Sequence, residues 1–154
     1  MKKFDIIPPM KIILLFFLIT GLFAFEGKVI RVSDGDTIVV LTQDKEQIKV
    51  RLNGIDAPEK KQSFGKQSTK FLSNLVAGKT VEIKKEGNDR YGRMIGTVLL
   101  NGVDINKEMV SNGYAWAFRK YSKKYAPDES NAKHKKLGLW AEEDPTPPWE
   151  YRKR

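Results

Sequence analysis

Between Lys28 and Leu100 the chain is cut into short β-branched runs by turn residues, and this punctuation limits it to a small curved sheet. Val29, Ile30 and Val32 lead into Ser33-Asp34-Gly35, and Thr37 to Leu41 resumes the strand pattern. Gln47 to Ile55 alternates, with Ile48, Val50 and Leu52 facing a core and Lys49, Arg51 and Asn53 facing away from it. Asn53-Gly54 and Ala57-Pro58 mark the exit into a loop. Further strands are expected over Thr80–Lys85 and Met94–Leu100, with a polar turn at Gly87-Asn88-Asp89 and a hairpin signal at Asn101-Gly102 before Val103-Asp104-Ile105.

Helices are expected over Gln62–Val76, closed by Gly78, over Asn106–Asn112, ending at Gly113, and over Asp128–Leu137, with Pro127 near its start and Gly138 past its end. Tyr114 to Tyr121 reads as extended or irregular. The order β-β-β-α-β-β-α-α points to an α+β chain that is mainly β. An OB-type, five-stranded Greek-key barrel with three α-helices fits it best. Phe71, Leu72, Leu75, Val98 and Leu100 are expected in the core, with Trp140 as a core or cap anchor.

With 154 residues there is room for one such domain. Lys2, Lys3 and Lys11 precede an apolar run from Ile12 to Phe25, the pattern of a secretory signal with a positive n-region and an apolar h-region. Residues 1–24 are therefore expected to be a signal peptide, with translation starting at Met1 or Met10; an uncleaved anchor is the alternative. The domain would span residues 25–141, followed by a Pro-rich polar tail over 142–154.

The net charge is +9, and removing three lysines and one aspartate with residues 1–24 leaves 25 basic and 18 acidic residues, or +7. A basic surface of this kind favours polyanions through counterion release, although acidic membranes and cell-wall polymers satisfy the same physics. There is no cysteine, and His134 is the one histidine, in a lysine-rich helical stretch. Disulfides, thiolate zinc sites, cysteine nucleophiles and a Ser-His-Asp triad are thereby excluded. A hydrolytic metal would need oxygen ligands.

Three segments carry chemistry: Asp34-Gly35-Asp36-Thr37, the stretch from Arg51 through Asp56-Ala57-Pro58-Glu59, and Asp89-Arg90-Tyr91-Gly92-Arg93. Phosphodiester hydrolysis needs a base for water, cations for the extra charge at phosphorus and a stabilised leaving oxygen. Without histidine, a carboxylate is the natural base. Arginine matches phosphoryl oxygens with two parallel hydrogen bonds, which lysine cannot do. A hard cation on carboxylates and carbonyls adds Lewis-acid stabilisation. Asp36, Asp56 and Glu59 supply two ligands and a base, and Arg51 and Arg93 supply the clamp. Each segment alone has a plainer explanation: an Asx-turn at Asp34, helix capping after Asp56, or a surface pair between Arg93 and Asp89. Their joint occurrence in this order is the specific signal.

With these motifs the chain resembles the staphylococcal nuclease family from about Gly27 to Trp140. Gly65, Asn112-Gly113 and Leu137-Gly138-Leu139-Trp140 also match, and Pro147-Pro148-Trp149-Glu150 is similar to many bacterial members. The resemblance implies an OB-fold endonuclease with one calcium ion, cutting DNA and RNA with little sequence preference to 3′-phosphate and 5′-hydroxyl ends. It implies Asp36, Asp56 and the Ala57 carbonyl as calcium ligands, Glu59 as general base, and Arg51 and Arg93 on the scissile phosphate. Arg90, Tyr91, Arg119 and Tyr121 fall where nucleotide contacts are expected. Ala57 stands where the best-known member has threonine, and Arg119 replaces a second tyrosine. A secreted monomer is the expectation; a non-catalytic nucleic-acid-binding module is the rival reading. Lysines 123, 124, 133, 135 and 136 form either a solvated face or a patch that tracks a phosphate backbone.

Overall fold

The computed structural model describes residues 24–154, so the targeting segment expected over residues 1–24 lies outside the described residues except for Ala24. Among the described residues, no helix is long and apolar enough to cross a membrane. The elements run β1 (Ala24–Asp34), β2 (Thr37–Leu41), β3 (Gln47–Leu52), β4 (Ile55–Asp56), α1 (Gly65–Val76), β5 (Thr80–Asn88) and β6 (Met94–Leu100). They continue with β7 (Val103–Asp104), α2 (Ile105–Ser111), β8 (Trp116–Ala117), α3 (Ala126–His134), a 3₁₀ turn (Gly138–Ala141) and α4 (Pro148–Tyr151).

The sheet order is β3-β2-β1-β5-β6-β7, and a parallel pairing of β3 with β6 closes it. Five strands thus form a closed barrel, as the run of short strands implied. The helix count differs: among the described residues there are four α-helices rather than three, because the Pro-rich tail contains α4. Proline at its start fixes φ where the missing N–H costs nothing, which lets a four-residue helix form in a segment that reads as coil.

Core and helix positions follow apolar spacing. Ile38, Val40, Val50, Leu52, Ile83 and Val98 are buried from the barrel strands, and Leu72 and Val76 bury one side of α1 against them. Each such side chain contributes about 1.5–3 kcal/mol by leaving water. Phe71 and Leu75 are only partly buried at the edge of this core, where Phe71 stacks on Tyr114 at 4.0 Å. Asn101-Gly102 forms the expected hairpin, with φ of 49° and 78°, the left-handed pair that suits strand twist. Asp104 then caps α2, accepting a hydrogen bond from the Lys107 N–H.

Two departures matter for function. The helix expected from Gln62 begins at Gly65, because Phe64 takes a left-handed φ of 67° and breaks the run. Gln62 is thereby free to tie the loop: its side chain accepts the Glu59 N–H at 3.1 Å and donates to the Thr146 carbonyl. The aromatic segment, expected to be extended or irregular, is extended at β8 and makes a pairing that was not expected, antiparallel with β4 so that Asp56 lies opposite Trp116. Two-residue strands leave no periodicity to read.

Gly65 packs its α-carbon against the Glu59 carbonyl, where a Cβ would collide with backbone. Gly65→Ala should lower the melting temperature by at least about 5 °C. Gly87→Ala, at a position open to solvent, should have a much smaller effect, and thermal melts of the two variants check this.

Candidate active site

The β1–β2 turn, the end of β3 and the β4 exit converge at one rim of the barrel. Asp36 follows the turn and is buried; its Oδ1 accepts the Thr37 hydroxyl at 3.0 Å and its Oδ2 accepts the Ala57 N–H at 2.8 Å. Those two bonds lock β2 to the loop after β4. Arg51 extends from β3, where its Nη1 donates to the Leu52 carbonyl at 2.6 Å. Its Nη2 lies 3.4 Å from Asp36 and 3.6 Å from Asp56, bridging the two carboxylates. The Asp56 side chain is 2% exposed, held by the β4–β8 pairing.

Glu59 lies beside them, and the group that connects it was not read from the sequence. Arg152, just after α4, donates from Nη1 to Asp56 Oδ1 at 3.1 Å and to Glu59 Oε1 at 2.8 Å. Its Nη2 donates to Asp56 Oδ2 at 2.8 Å. Asp36, Arg51, Asp56, Glu59 and Arg152 therefore form one charged network. Asp34 joins its edge, with its Oδ1 accepting the Asp36 N–H at 3.0 Å. A Pro-Pro-Trp helix start followed by arginine was the available signal for Arg152, and the aspartate two residues before Asp36 was the signal for Asp34.

Among the described residues, no three or more His, Cys, Asp or Glu side chains are arranged as a ready metal cluster. The nearby donors are hard carboxylate oxygens, those of Asp36 and Asp56, both within reach of the Arg51 guanidinium. That chemistry fits a hard divalent cation and excludes a soft one. Arg152 already places a positive charge on Asp56, as a cation at this point would.

Comparison with known proteins gives this arrangement its context. The family model described as staphylococcal nuclease homologue matches residues 49–142. An uncharacterized endonuclease of Haemophilus influenzae is 45% identical over 129 residues, covering 82% of this chain and 72% of that protein. An uncharacterized endonuclease of Escherichia coli O157:H7 is 45% identical over 132 residues, 84% of this chain and 86% of that protein. A micrococcal nuclease of Shigella flexneri is 37% identical over 142 residues, 84% of this chain and 81% of that protein.

The chain belongs to the staphylococcal nuclease family. Its activity is accordingly that of a nuclease, a hydrolase acting on nucleic acid.

The remaining residues expected at the site of a staphylococcal nuclease make no hydrogen bond or ion pair to this charged network among the described residues. The register that pairs Val50 with Met94 brings the start of β6 alongside β3. Arg93 there pairs with Asp89, Nε to Oδ2 at 2.6 Å, and makes no ion pair with Asp36, Asp56 or Glu59. The surface pair considered as its plainer explanation is present. Arg90 donates to the Tyr91 hydroxyl at 2.8 Å, and the Tyr91 ring is 69% exposed. Tyr121 is 68% exposed with Phe118 edge-on at 4.9 Å. Arg119 is drawn back to buried Glu129 at 3.4 Å, a carboxylate that also takes Lys133 at 3.0 Å and the Ala117 N–H at 2.6 Å. Lys133 is thus partly engaged, and Lys124 pairs with Asp104 at 2.9 Å. Trp140 packs edge-on to Trp116 at 4.3 Å, an anchor as expected.

Burial and charge set the protonation of the acids. Burial, with the adjacent Asp36 charge, pushes Asp34 from 3.8 up to about 7. Burial also disfavours the Asp36 charge, but Arg51 and hydrogen bonds from Asp34, Ala57 and Thr37 outweigh it and hold Asp36 below the ordinary range. Below about 7 the two carboxyls together hold one proton, with Asp34 the favoured site. Burial raises Asp56 despite Arg152 and Arg51.

A carboxyl raised on folding stabilises below its ordinary value and loses that contribution as pH rises through its folded value. Asp34 therefore weakens the metal-free protein between 3.8 and about 7. Asp34→Asn, measured in chelator, should match wild type near pH 4 and melt progressively higher than it up to about pH 7, with the gain level beyond. A gain that shrinks with pH would contradict the assignment.

Proposed function

We propose that this nuclease is a calcium-dependent endonuclease that hydrolyses DNA and RNA to 3′-phosphate and 5′-hydroxyl ends. The observation that carries the reading is Arg51 held between Asp36 and Asp56, next to the loop that bears Glu59. Two acids beside a fixed guanidinium form a site for a hard cation and a phosphate together.

Calcium bound through Asp36, Asp56 and the Ala57 carbonyl would supply Lewis-acid stabilisation of the phosphoryl charge. The protein's own groups do the rest. Arg51 presents a guanidinium whose rotation is restricted by its bond to the Leu52 carbonyl, so it meets a phosphoryl oxygen without reorganising. Glu59 takes a proton from water as the water oxygen bonds to phosphorus and the bond to the 5′-oxygen breaks. Arg93, released from Asp89, adds a second guanidinium on the leaving-oxygen side and helps that oxygen gain its proton. Exposed Tyr91 and Tyr121 offer faces for base stacking, with Arg90 and Arg119 as phosphate or cation–π contacts. Stacking and backbone contacts carry little base information, in keeping with low sequence preference.

The N-terminal signal pattern supports action outside the cytoplasm, as a secreted monomer or in a tethered form. Extracellular calcium would load even a site of roughly 10⁻⁴–10⁻³ M affinity.

Plasmid cleavage should stop in chelator and return with excess calcium but not with zinc. End-group analysis should find 3′-phosphate and 5′-hydroxyl termini. Glu59→Gln should fold normally and lose about 10²–10⁴ in kcat, and Arg51→Lys about 10²–10³. Wild-type rates in either variant would overturn the roles given to those residues.

A further inference from the structure

The C-terminal segment is fastened down at several independent points. The Gln62 side chain donates to the Thr146 carbonyl, and Ser63 donates to Glu142 at 2.5 Å. Pro148 is buried. The Trp149 ring stacks on Phe118 at 5.5 Å with planes 12° apart and meets Trp116 edge-on at 5.4 Å. These contacts set α4 across the loop from Asp56 to Gln62, and the next residue is Arg152. Its position is a consequence of a packed aromatic anchor rather than of a freely moving tail.

From that anchor, Arg152 does two things at once. Its fork takes both oxygens of Asp56, and one arm also takes Glu59. Among the described residues, Arg152 is the sole side chain that hydrogen-bonds the Glu59 carboxylate. The orientation of that carboxylate is therefore set from the C-terminus, 93 residues away along the chain. A divalent cation and a guanidinium have the same claim on Asp56, because both are drawn by its two oxygens in a largely dry setting.

We infer that Arg152 is a positioning residue of the active site: its guanidinium orients Glu59 and acts as the internal counter-cation of Asp56, from which a divalent cation must displace it. The inference rests on the roles given to Asp56 and Glu59 above. In the metal-free protein, Arg152 lets Asp56 and Glu59 sit side by side without mutual repulsion, as Arg51 does for Asp36 and Asp56. When the cation takes Asp56, the arm on Glu59 remains and keeps that carboxylate in place. The residue is 44% exposed on its side chain, so the fork can shift without unpacking the Trp149 anchor.

The two roles separate on substitution. Arg152→Ala removes the competitor for Asp56 and the holder of Glu59 together. Calcium should then bind about tenfold tighter in isothermal titration calorimetry, one step on the logarithmic affinity scale. At saturating calcium, kcat on duplex DNA should fall by about 10–10² because Glu59 has lost its orientation, with KM changed less than about threefold. Arg152→Lys keeps the charge and loses the fork, so its calcium affinity should return towards wild type while kcat stays low. In chelator, thermal melts of Arg152→Ala, Glu59→Gln and the double variant should be non-additive, reporting the pair without any turnover.

Tighter calcium with unchanged kcat at saturation would overturn the positioning role. A raised KM with unchanged kcat would make Arg152 a substrate contact and overturn it as well. Unchanged calcium affinity would overturn the counter-cation role. If wild type itself neither binds calcium nor cleaves, the reading of the site fails first and this inference with it. Wild type that does both, beside unaltered Arg152 variants, overturns this inference alone.

Discussion

Two buried aspartates can share one rim of the barrel because Arg51 stands between them. Asp36 follows a β-turn and Asp56 lies on a two-residue strand, and bringing their charges together without a cation would be prohibitive in a poorly hydrated setting. The guanidinium is fixed on β3, which the parallel pairing with β6 ties into the closed barrel. Barrel closure, the position of Arg51 and the approach of the acids are thus one geometric fact. Asp34 is raised first by burial and then by the Asp36 charge beside it, which favours its neutral form.

How much of this was legible in the sequence depends on the range of the signal. Strands of five or more residues announced themselves by β-branched runs between turn residues, and Gln47 to Leu52 by alternation as well, while Asn101-Gly102 marked a hairpin by its left-handed residues. Asp36, Arg51, Asp56 and Glu59 could be picked out because a hydrolytic site without histidine has few groups to choose from. The pairing of β4 with β8 could not be read, because two residues make no pattern and their partners are far apart in the chain. α1 starts three residues later than its apolar stripe implies, because the stripe includes Phe64, whose left-handed backbone no stripe reveals.

The C-terminal segment was the largest gap. Its composition reads as polar and Pro-rich, and by composition alone it lies outside the domain. What docks it is one indole on two aromatic rings and one guanidinium on two acids, interactions that depend on tertiary placement alone. Arg93 teaches the reverse. The motif around it is clear, yet its side chain is occupied by Asp89, so the role proposed for it requires that this pair first open.

The pairing of Asp56 with a residue 96 positions further on also bears on how the protein comes into being. During synthesis the strands of the barrel emerge long before Arg152, and domains organise as their own segments become available. Asp56 and Glu59 therefore lack the Arg152 guanidinium until the C-terminal segment has been made and has docked. The charged centre cannot close until the chain has reached Arg152, 96 residues beyond Asp56.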